Sequence, residues 1–207
     1  MLFRSIRRHY RKVHYNLKRL DEVLEAVPAS GPAEPKKLEP MQPTAVLLVG
    51  SYAGLGIHSL LTVQRLFPGY FKNFIFVSIG VIDSATFTNV EAVEEVRQKT
   101  EESLVRYVEL AGRLGLAAGY RMAIGTEAVS TAEDLARGIG REFPRSLFFA
   151  GKLVFERERW FQRILHNETA YQLQRRLQFA GLNAMVLPVR VLEERGPARA
   201  PAAAASP

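Results

Sequence analysis

The chain has 207 residues, of which 47% are apolar and 24% charged, enough for one ordinary hydrophobic core with extensions. It contains no cysteine, which excludes disulfides, thiolate metal sites and cysteine nucleophiles. The four histidines are not spaced as metal ligands, so we expect no metal site. No apolar run reaches the roughly 18 residues that cross a bilayer, and the start, MLFRSIRRHYRK, is not a secretory signal.

The net charge of +7 is located in one short segment. Of the 28 basic residues, seven lie in the first 20 positions, which hold no acidic residue; the other 21 match the 21 acidic residues elsewhere. The body of the chain, residues 21–207, therefore has no net positive charge with which to bind a nucleic-acid backbone, so we expect no nucleic-acid partner. The seven residues are Arg4, Arg7, Arg8, Arg11, Lys12, Lys18 and Arg19.

The first segment is also amphipathic. Apolar residues recur at spacings of three and four from Leu2 to Leu24, which predicts a basic amphipathic helix over residues 1–26. The proline-rich stretch 27–43 predicts a semi-extended linker. The folded domain is predicted over 44–192, and the tail 193–207 has too little to bury to be ordered.

Within 44–192, apolar runs alternate with helical patterns. The runs AVLLVG, NFIFVSIGVI, GYRMAIG, SLFFAG and AMVLPVRV predict five strands. Capping-box spacings at Thr88–Glu91 and Ser130–Glu133 predict the starts of the second and third helices, and Gly115 the end of the second. The helices are predicted over IHSLLTVQRLF and about 90–114, 130–143 and 168–179.

Apolar strands separated by helices indicate an α/β fold with a three-layer, doubly wound, parallel five-stranded sheet, which is Rossmann-like. Ligands bind such sheets beyond the carboxyl ends of the strands. An open sheet has edges, and we expect the last strand to be able to pair with a second copy in a homodimer.

Three glycines follow the first predicted strand, in LLVGSYAGLG. The pattern matches neither the dinucleotide fingerprint nor the Walker loop. The residues Gly50, Ser51, Gly54 and Gly56 therefore have two interpretations: an anion-binding turn at a helix start, or glycines that allow a sharp turn and close packing. We favour the second, because the turn has no lysine as a fixed countercharge.

Two further stretches lie at the same edge. Asp83 follows the second strand, where an aspartate more often stabilises a turn than donates protons. Gly151 and Lys152 begin a basic, aromatic-rich stretch that either packs as an amphipathic segment or binds a phosphate, a nucleic-acid strand or a lipid head group, and we favour packing. Asn167 is predicted to cap the next helix. No spacing fixes a base beside a nucleophile, so we expect no catalytic residues and no enzyme.

The βαβαβαβαβ order, the glycine that ends strand four, and the Asn-led helix before VLPV resemble the universal stress protein fold. Nucleotide-binding members have an aspartate after strand one and a G-x-x-G-x9-G-[ST] loop after strand four. Here Gly50 and Ser51 replace the acid, and only Gly151 of the loop is matched. The resemblance therefore implies the fold, and we expect no cofactor and no ATP binding in the family's manner.

Three longer stretches, RRHYRKVHYNLKRLDE, FKNFIFVSIGVIDS and FFAGKLVFERERWFQRILHNETAYQLQRRLQFAGL, resemble the cytosolic C-terminal region of bacterial amino acid permeases of the amino acid–polyamine–organocation superfamily. This resemblance implies a non-catalytic regulatory or ligand-sensing domain at the inner face of the cell membrane. Its partners would be a transporter membrane domain and anionic lipid, and the chain would be a detached domain or a fragment. The alternative is a free-standing nucleotide-binding stress protein.

Overall fold

The computed structural model describes residues 36–84, 89–155 and 168–191. The predicted basic helix, most of the linker and the tail lie outside these residues. Within them, strands and helices alternate along the chain. The elements are β1 Thr44–Leu48, α1 Gly54–Leu66, β2 Asn73–Val81, α2 Val90–Arg113, β3 Ala117–Gly125, α3 Ala128–Glu142, β4 Ser146–Phe155, α4 Glu168–Phe179 and β5 Ala184–Val191.

The five strands form one parallel sheet in the order β3-β2-β1-β4-β5. The α/β fold predicted from the alternating pattern is therefore confirmed. The order reverses between β1 and β4, which places the topological switch point there. Strands β3 and β5 are the edges of the sheet, so the strand that we expected to pair with a second copy is an edge strand.

The helices cover both faces of the sheet. Successive residues of a strand face opposite sides, so Leu47 packs with α1 and α2 while Val46 packs with α3 and α4. The first layer contains several aromatic side chains, including Phe76 and Phe149, and the second contains Phe148. Two separate hydrophobic layers on one apolar sheet explain why the strands read as continuous apolar runs.

Two helix starts differ from the sequence prediction. Helix α1 begins at Gly54, earlier than the predicted Ile57. Helix α3 begins at Ala128 after the N-cap Glu127, so the spacing that began at Ser130 was wrong as a cap. The Ser130 hydroxyl instead donates to the Glu127 carbonyl oxygen at 3.2 Å.

The ends of α2 follow the prediction closely. Asn89 is its N-cap, and the Asn89 side chain accepts hydrogen bonds from the amides of Glu91 and Ala92. Gly115 has φ +73° just after the last turn, the left-handed conformation expected of a C-terminal glycine. The predicted cap residue Thr88 lies outside the described residues.

Strand β4 is longer than predicted, because it continues through Gly151 and Lys152 to Phe155. Its last part pairs with β5, with Gly151 opposite Leu187 and Lys152 opposite Pro188. The predicted strand SLFFAG ended at Gly151, and the residues after it were predicted to be irregular. The partner strand, which local sequence does not show, supplies the backbone hydrogen bonds that extend β4.

The last part of the predicted linker contacts the domain. The buried Asn73 amide donates to the Glu39 carbonyl oxygen at 2.7 Å and to the Thr44 hydroxyl at 2.9 Å. Its side-chain oxygen accepts from the Glu39 amide at 3.2 Å. The Leu38 side chain packs against the α3/α4 layer. The chain is therefore fixed to the sheet before β1 begins.

Among the helices of the described ranges, none is both long and apolar enough to cross a membrane.

Candidate functional site

The crevice expected in this fold lies at the carboxyl end of β1 and β4. Leu48 pairs with Ala150, so Gly50 and Gly151 follow neighbouring strands past the switch point. Helix α1 starts beside them at Gly54. The structure therefore brings together five of the eight candidate residues: Gly50, Ser51, Gly54, Gly56 and Gly151.

The connection between β1 and α1 has an exposed tip. Gly50 and Ser51 are both exposed, and a Cβ atom at Gly50 would meet no heavy atom within 4 Å. The three glycines of this stretch do not have positive φ, so the backbone does not need glycine for a left-handed turn. A left-handed backbone therefore does not explain these glycines.

Tyr107 of α2 fixes the base of the same connection. Its fully buried ring stacks on Phe76 with centroids 5.1 Å apart. Its hydroxyl accepts from the Ala53 amide at 3.2 Å and lies within donating distance of the carbonyl oxygens of Ser51 (3.1 Å) and Ala53 (3.2 Å). One side chain thus bonds the Ala53 amide and the Ser51 carbonyl oxygen, which lie before the first helical residue.

The Tyr107 side chain leaves room only for a glycine at position 56. A Cβ atom at position 56 would lie 2.6 Å from Cζ and 2.9 Å from Cε1 of Tyr107, and closer still to the hydroxyl oxygen. Close packing, the second part of the preferred interpretation, therefore explains Gly56. The contact is with α2, not with the sheet. Gly54 is buried as the first residue of α1.

Gly151 also meets α1. A Cβ atom there would lie 2.5 Å from the Ser59 hydroxyl oxygen and 3.0 Å from the Leu55 side chain. The Ser59 hydroxyl already donates to the Leu55 carbonyl oxygen at 2.8 Å. The one glycine that matches the stress-protein phosphate loop thus lies in a strand and packs on a helix.

The other candidate residues lie apart from this group. Lys152 faces α4, where its ammonium nitrogen lies 3.3 Å from the Tyr171 hydroxyl and 4.9 Å from the ring centroid. Asp83 is exposed after β2. Asn167 lies outside the described residues.

A cleft of about 500 Å³ opens at the same edge of the sheet, between the end of β3 and the start of α3. None of the candidate residues lines it. It is bordered mainly by small polar groups: Ser84, Gly125, Thr126, Glu127, Ser130 and Thr131.

Sequence reasoning missed a positive charge beside the glycine connection. The Arg106 guanidinium lies over the Tyr52 ring, 4.0 Å from its centroid, and Tyr52 in turn packs against Tyr107 with centroids 4.8 Å apart. Arg106 is exposed. More than 50 residues separate Tyr52 from Arg106 in the sequence, so periodicity gave no signal for this contact. The connection therefore has a cation over its Tyr52 ring, although not one from its own loop.

Comparison with solved structures gives the same fold. The chain is similar to a crystal structure of a protein from the universal stress protein family of Burkholderia pseudomallei, with a TM-score of 0.50 and 16% identity. The match covers 73% of this chain and 100% of the other. No protein-family model and no curated protein sequence matches the chain. The likeness supports a universal-stress-type α/β domain.

Proposed function

We propose that this chain is a non-catalytic regulatory or ligand-sensing domain that works beside a membrane transporter at the inner face of the cell membrane. The observation that carries the proposal is the charge distribution. Seven basic residues and no acidic one occupy the first 20 positions, on a sequence with an apolar stripe. A basic amphipathic segment is drawn to anionic lipid, by about 1 kcal/mol for each charge near the surface.

The resemblance to the cytosolic region of amino acid permeases supports the transporter part of the proposal. In such proteins a basic segment follows the last membrane span, in agreement with the positive-inside bias. Sequencing the DNA upstream of the codon for Met1 tests this part. A reading frame for apolar spans supports it, and a frame for an unrelated protein without such spans contradicts it.

The second candidate, a free-standing nucleotide-binding stress protein, is favoured by the fold alone. The packing of Gly151 on Ser59 and Leu55 weighs against a phosphate at that glycine. Titration calorimetry with ATP separates the two candidates. A dissociation constant in the low micromolar range, lost in Gly151→Val but kept in Gly138→Val on the exposed side of α3, would favour the second.

Vesicle co-sedimentation of the full chain tests the membrane part. One variant carries Arg4→Gln, Arg7→Gln, Arg8→Gln and Arg11→Gln. Its matched control loses four exposed basic residues of the body: Arg97→Gln, Lys99→Gln, Arg137→Gln and Arg175→Gln.

We expect the unaltered chain and the control to bind phosphatidylglycerol vesicles, and the first variant to lose roughly two orders of magnitude in affinity. Binding should weaken with added salt, because exposed charges are screened. Equal binding by both variants, or binding indifferent to salt, contradicts the proposal.

A further inference from the structure

The end of the sheet opposite the candidate site carries an excess of positive charge, which the zero net charge of residues 21–207 does not reveal. Helices that connect parallel strands run back along the sheet, so their last turns lie at the amino ends of the strands. We call the described connections there the amino edge; they are residues 36–43, 65–72, 113–116, 141–145 and 179–183.

The amino edge is strongly basic. It holds seven basic residues and two acidic ones, all exposed. Of the two acids, Glu142 is paired with Arg121 at 2.5 Å. By contrast, the described connections at the carboxyl edge, residues 49–53, 82–84, 89 and 126–127, hold two acidic residues and no basic one. The connection after β4, residues 156–167, lies outside the described residues; its sequence holds three arginines and two glutamates, so the carboxyl edge has no excess of positive charge. The basic residues of the amino edge are Lys36, Lys37, Arg65, Lys72, Arg113, Arg141 and Arg145.

Helix ends account for only part of this pattern. Basic residues in a last turn complement the helix dipole, which suffices to explain Arg65, Arg113 and Arg141. The other four basic residues lie outside any helix. The excess of positive charge therefore belongs to the edge as a surface.

Large apolar side chains are exposed at the same edge. Met41 is 69% exposed, Leu66 54% and Tyr70 56%. A hydrogen bond of 2.9 Å from the Lys72 amide to the Pro43 carbonyl oxygen joins the two connections that carry Met41 and Tyr70. Exposed apolar side chains among lysines and arginines, with a tyrosine, are typical of surfaces that lie in a lipid interface.

The basic N-terminal segment is attached at this edge. The Lys36 ammonium donates to the Gly115 carbonyl oxygen at 2.7 Å, which fixes the first described residue beside the end of α2. The nine residues 27–35 reach at most about 30 Å when extended. Residues 1–26 and the amino edge can therefore contact one surface together, and the two contacts reinforce each other.

We infer that the amino edge is a docking face for an anionic lipid bilayer, with the carboxyl edge and its candidate site turned away from the membrane. The inference rests on the proposed function, in which the N-terminal segment brings the domain to the membrane. The inference adds the orientation of the domain at that membrane. Opposite charge, exposed apolar groups and the attachment of the basic segment each point to the same occupant.

Two variants of the full chain with equal charge test the face. The first carries Arg65→Gln, Lys72→Gln and Arg145→Gln; the control carries Arg97→Gln, Lys99→Gln and Arg137→Gln, which are exposed residues away from the amino edge. Affinity is measured on vesicles of phosphatidylglycerol and phosphatidylcholine. We expect the first variant to bind roughly tenfold or more weakly than the control. Equal affinities of the two variants overturn the inference.

An environment-sensitive probe gives a second, independent readout. In a Trp160→Phe background, Tyr70→Trp is compared with Tyr171→Trp on α4, two positions of similar exposure, 56% and 49%. We expect anionic vesicles to shift the emission of the first probe to shorter wavelength and to leave the second unchanged. The opposite result, or equal shifts, overturns the orientation even if a charge variant folds poorly.

The outcome distinguishes this inference from the proposed function. If neutralising residues 4–11 leaves binding intact while the amino-edge variant loses it, the face is correct and the role of the N-terminal segment is wrong. If the reverse holds, the face is wrong. Duplex DNA serves as the competing polyanion, and equal binding of DNA with the same loss in the amino-edge variant overturns a lipid face.

Discussion

Replacing Gly56 by alanine should destabilise the domain although alanine is the better helix former. The added Cβ would lie 2.6 Å from Cζ of Tyr107, a separation that real Cβ atoms essentially never show, so the ring must move. The ring is fully buried against Phe76, and its hydroxyl bonds to the backbone of Ser51 and Ala53. Movement therefore costs both packing and hydrogen bonds.

The magnitude follows from these contacts. Overpacking a core costs about 1–3 kcal/mol, and a buried polar group that loses its partner costs about 1–3 kcal/mol more. The change from glycine to alanine returns at most about 1 kcal/mol of helix propensity. We expect a net loss of about 2–4 kcal/mol, which lowers the melting temperature by roughly 5–15 °C in a domain of this size.

Chemical denaturation of Gly56→Ala and of Gly138→Ala measures this. A Cβ atom at the exposed Gly138 of α3 meets no heavy atom within 4 Å, so the control should gain about 0.5–1 kcal/mol. Adding Tyr107→Phe to Gly56→Ala removes the nearest atom, and the double variant should be more stable than the sum of the single losses. If Gly56→Ala is as stable as Gly138→Ala, the packing argument is refuted.

Three further predictions concern other contacts. Asn73→Ala should cost about 2–4 kcal/mol because it breaks a buried network, whereas the exposed Asn183→Ala should stay within about 0.5 kcal/mol in the same denaturation assay. Gly151→Ala should lower the melting temperature without changing the heat of ATP titration. The hydrogen bond from Arg137 holds the pKa of Glu133 below its ordinary value of 4.5, so this pairing stabilises the fold above that pH and fades below it. The stability difference between the unaltered chain and Glu133→Gln, followed by thermal melts from pH 7 to 3, should therefore shrink as the pH falls.

The sequence was sufficient for the order of elements, because each strand is a largely apolar run and each helix has its own periodicity. It was insufficient where a contact with a residue far away in the sequence determines the local structure. Gly54 and Gly56 are poor helix formers, so they were read as a turn, yet they lie in the first turn of α1, whose N-cap Ala53 bonds to Tyr107 of α2. Likewise the sequence predicted that β4 ends at Gly151, and pairing with β5 extends the strand through Lys152 to Phe155.

The sequence predicted where the candidate residues lie in the fold, but it did not predict their contacts. Topology puts Gly50, Ser51 and Gly151 at the switch point, as the fold requires. Two contacts depend on which helix faces meet: Gly151 packs on α1, and Arg106 of α2 lies over the Tyr52 ring. The basic amino edge was hidden for a related reason, since its charges come from connections far apart in the sequence and cancel in the total count.

The location of the chain in a living bacterial cell tests the central claim most directly. The full chain, fused at its C-terminus to a fluorescent protein, is imaged beside the variant with Arg4→Gln, Arg7→Gln, Arg8→Gln and Arg11→Gln. We expect the unaltered chain to line the cell periphery and the variant to spread through the cytoplasm. Uniform fluorescence of the unaltered chain, or a peripheral signal that the variant retains in full, contradicts the account.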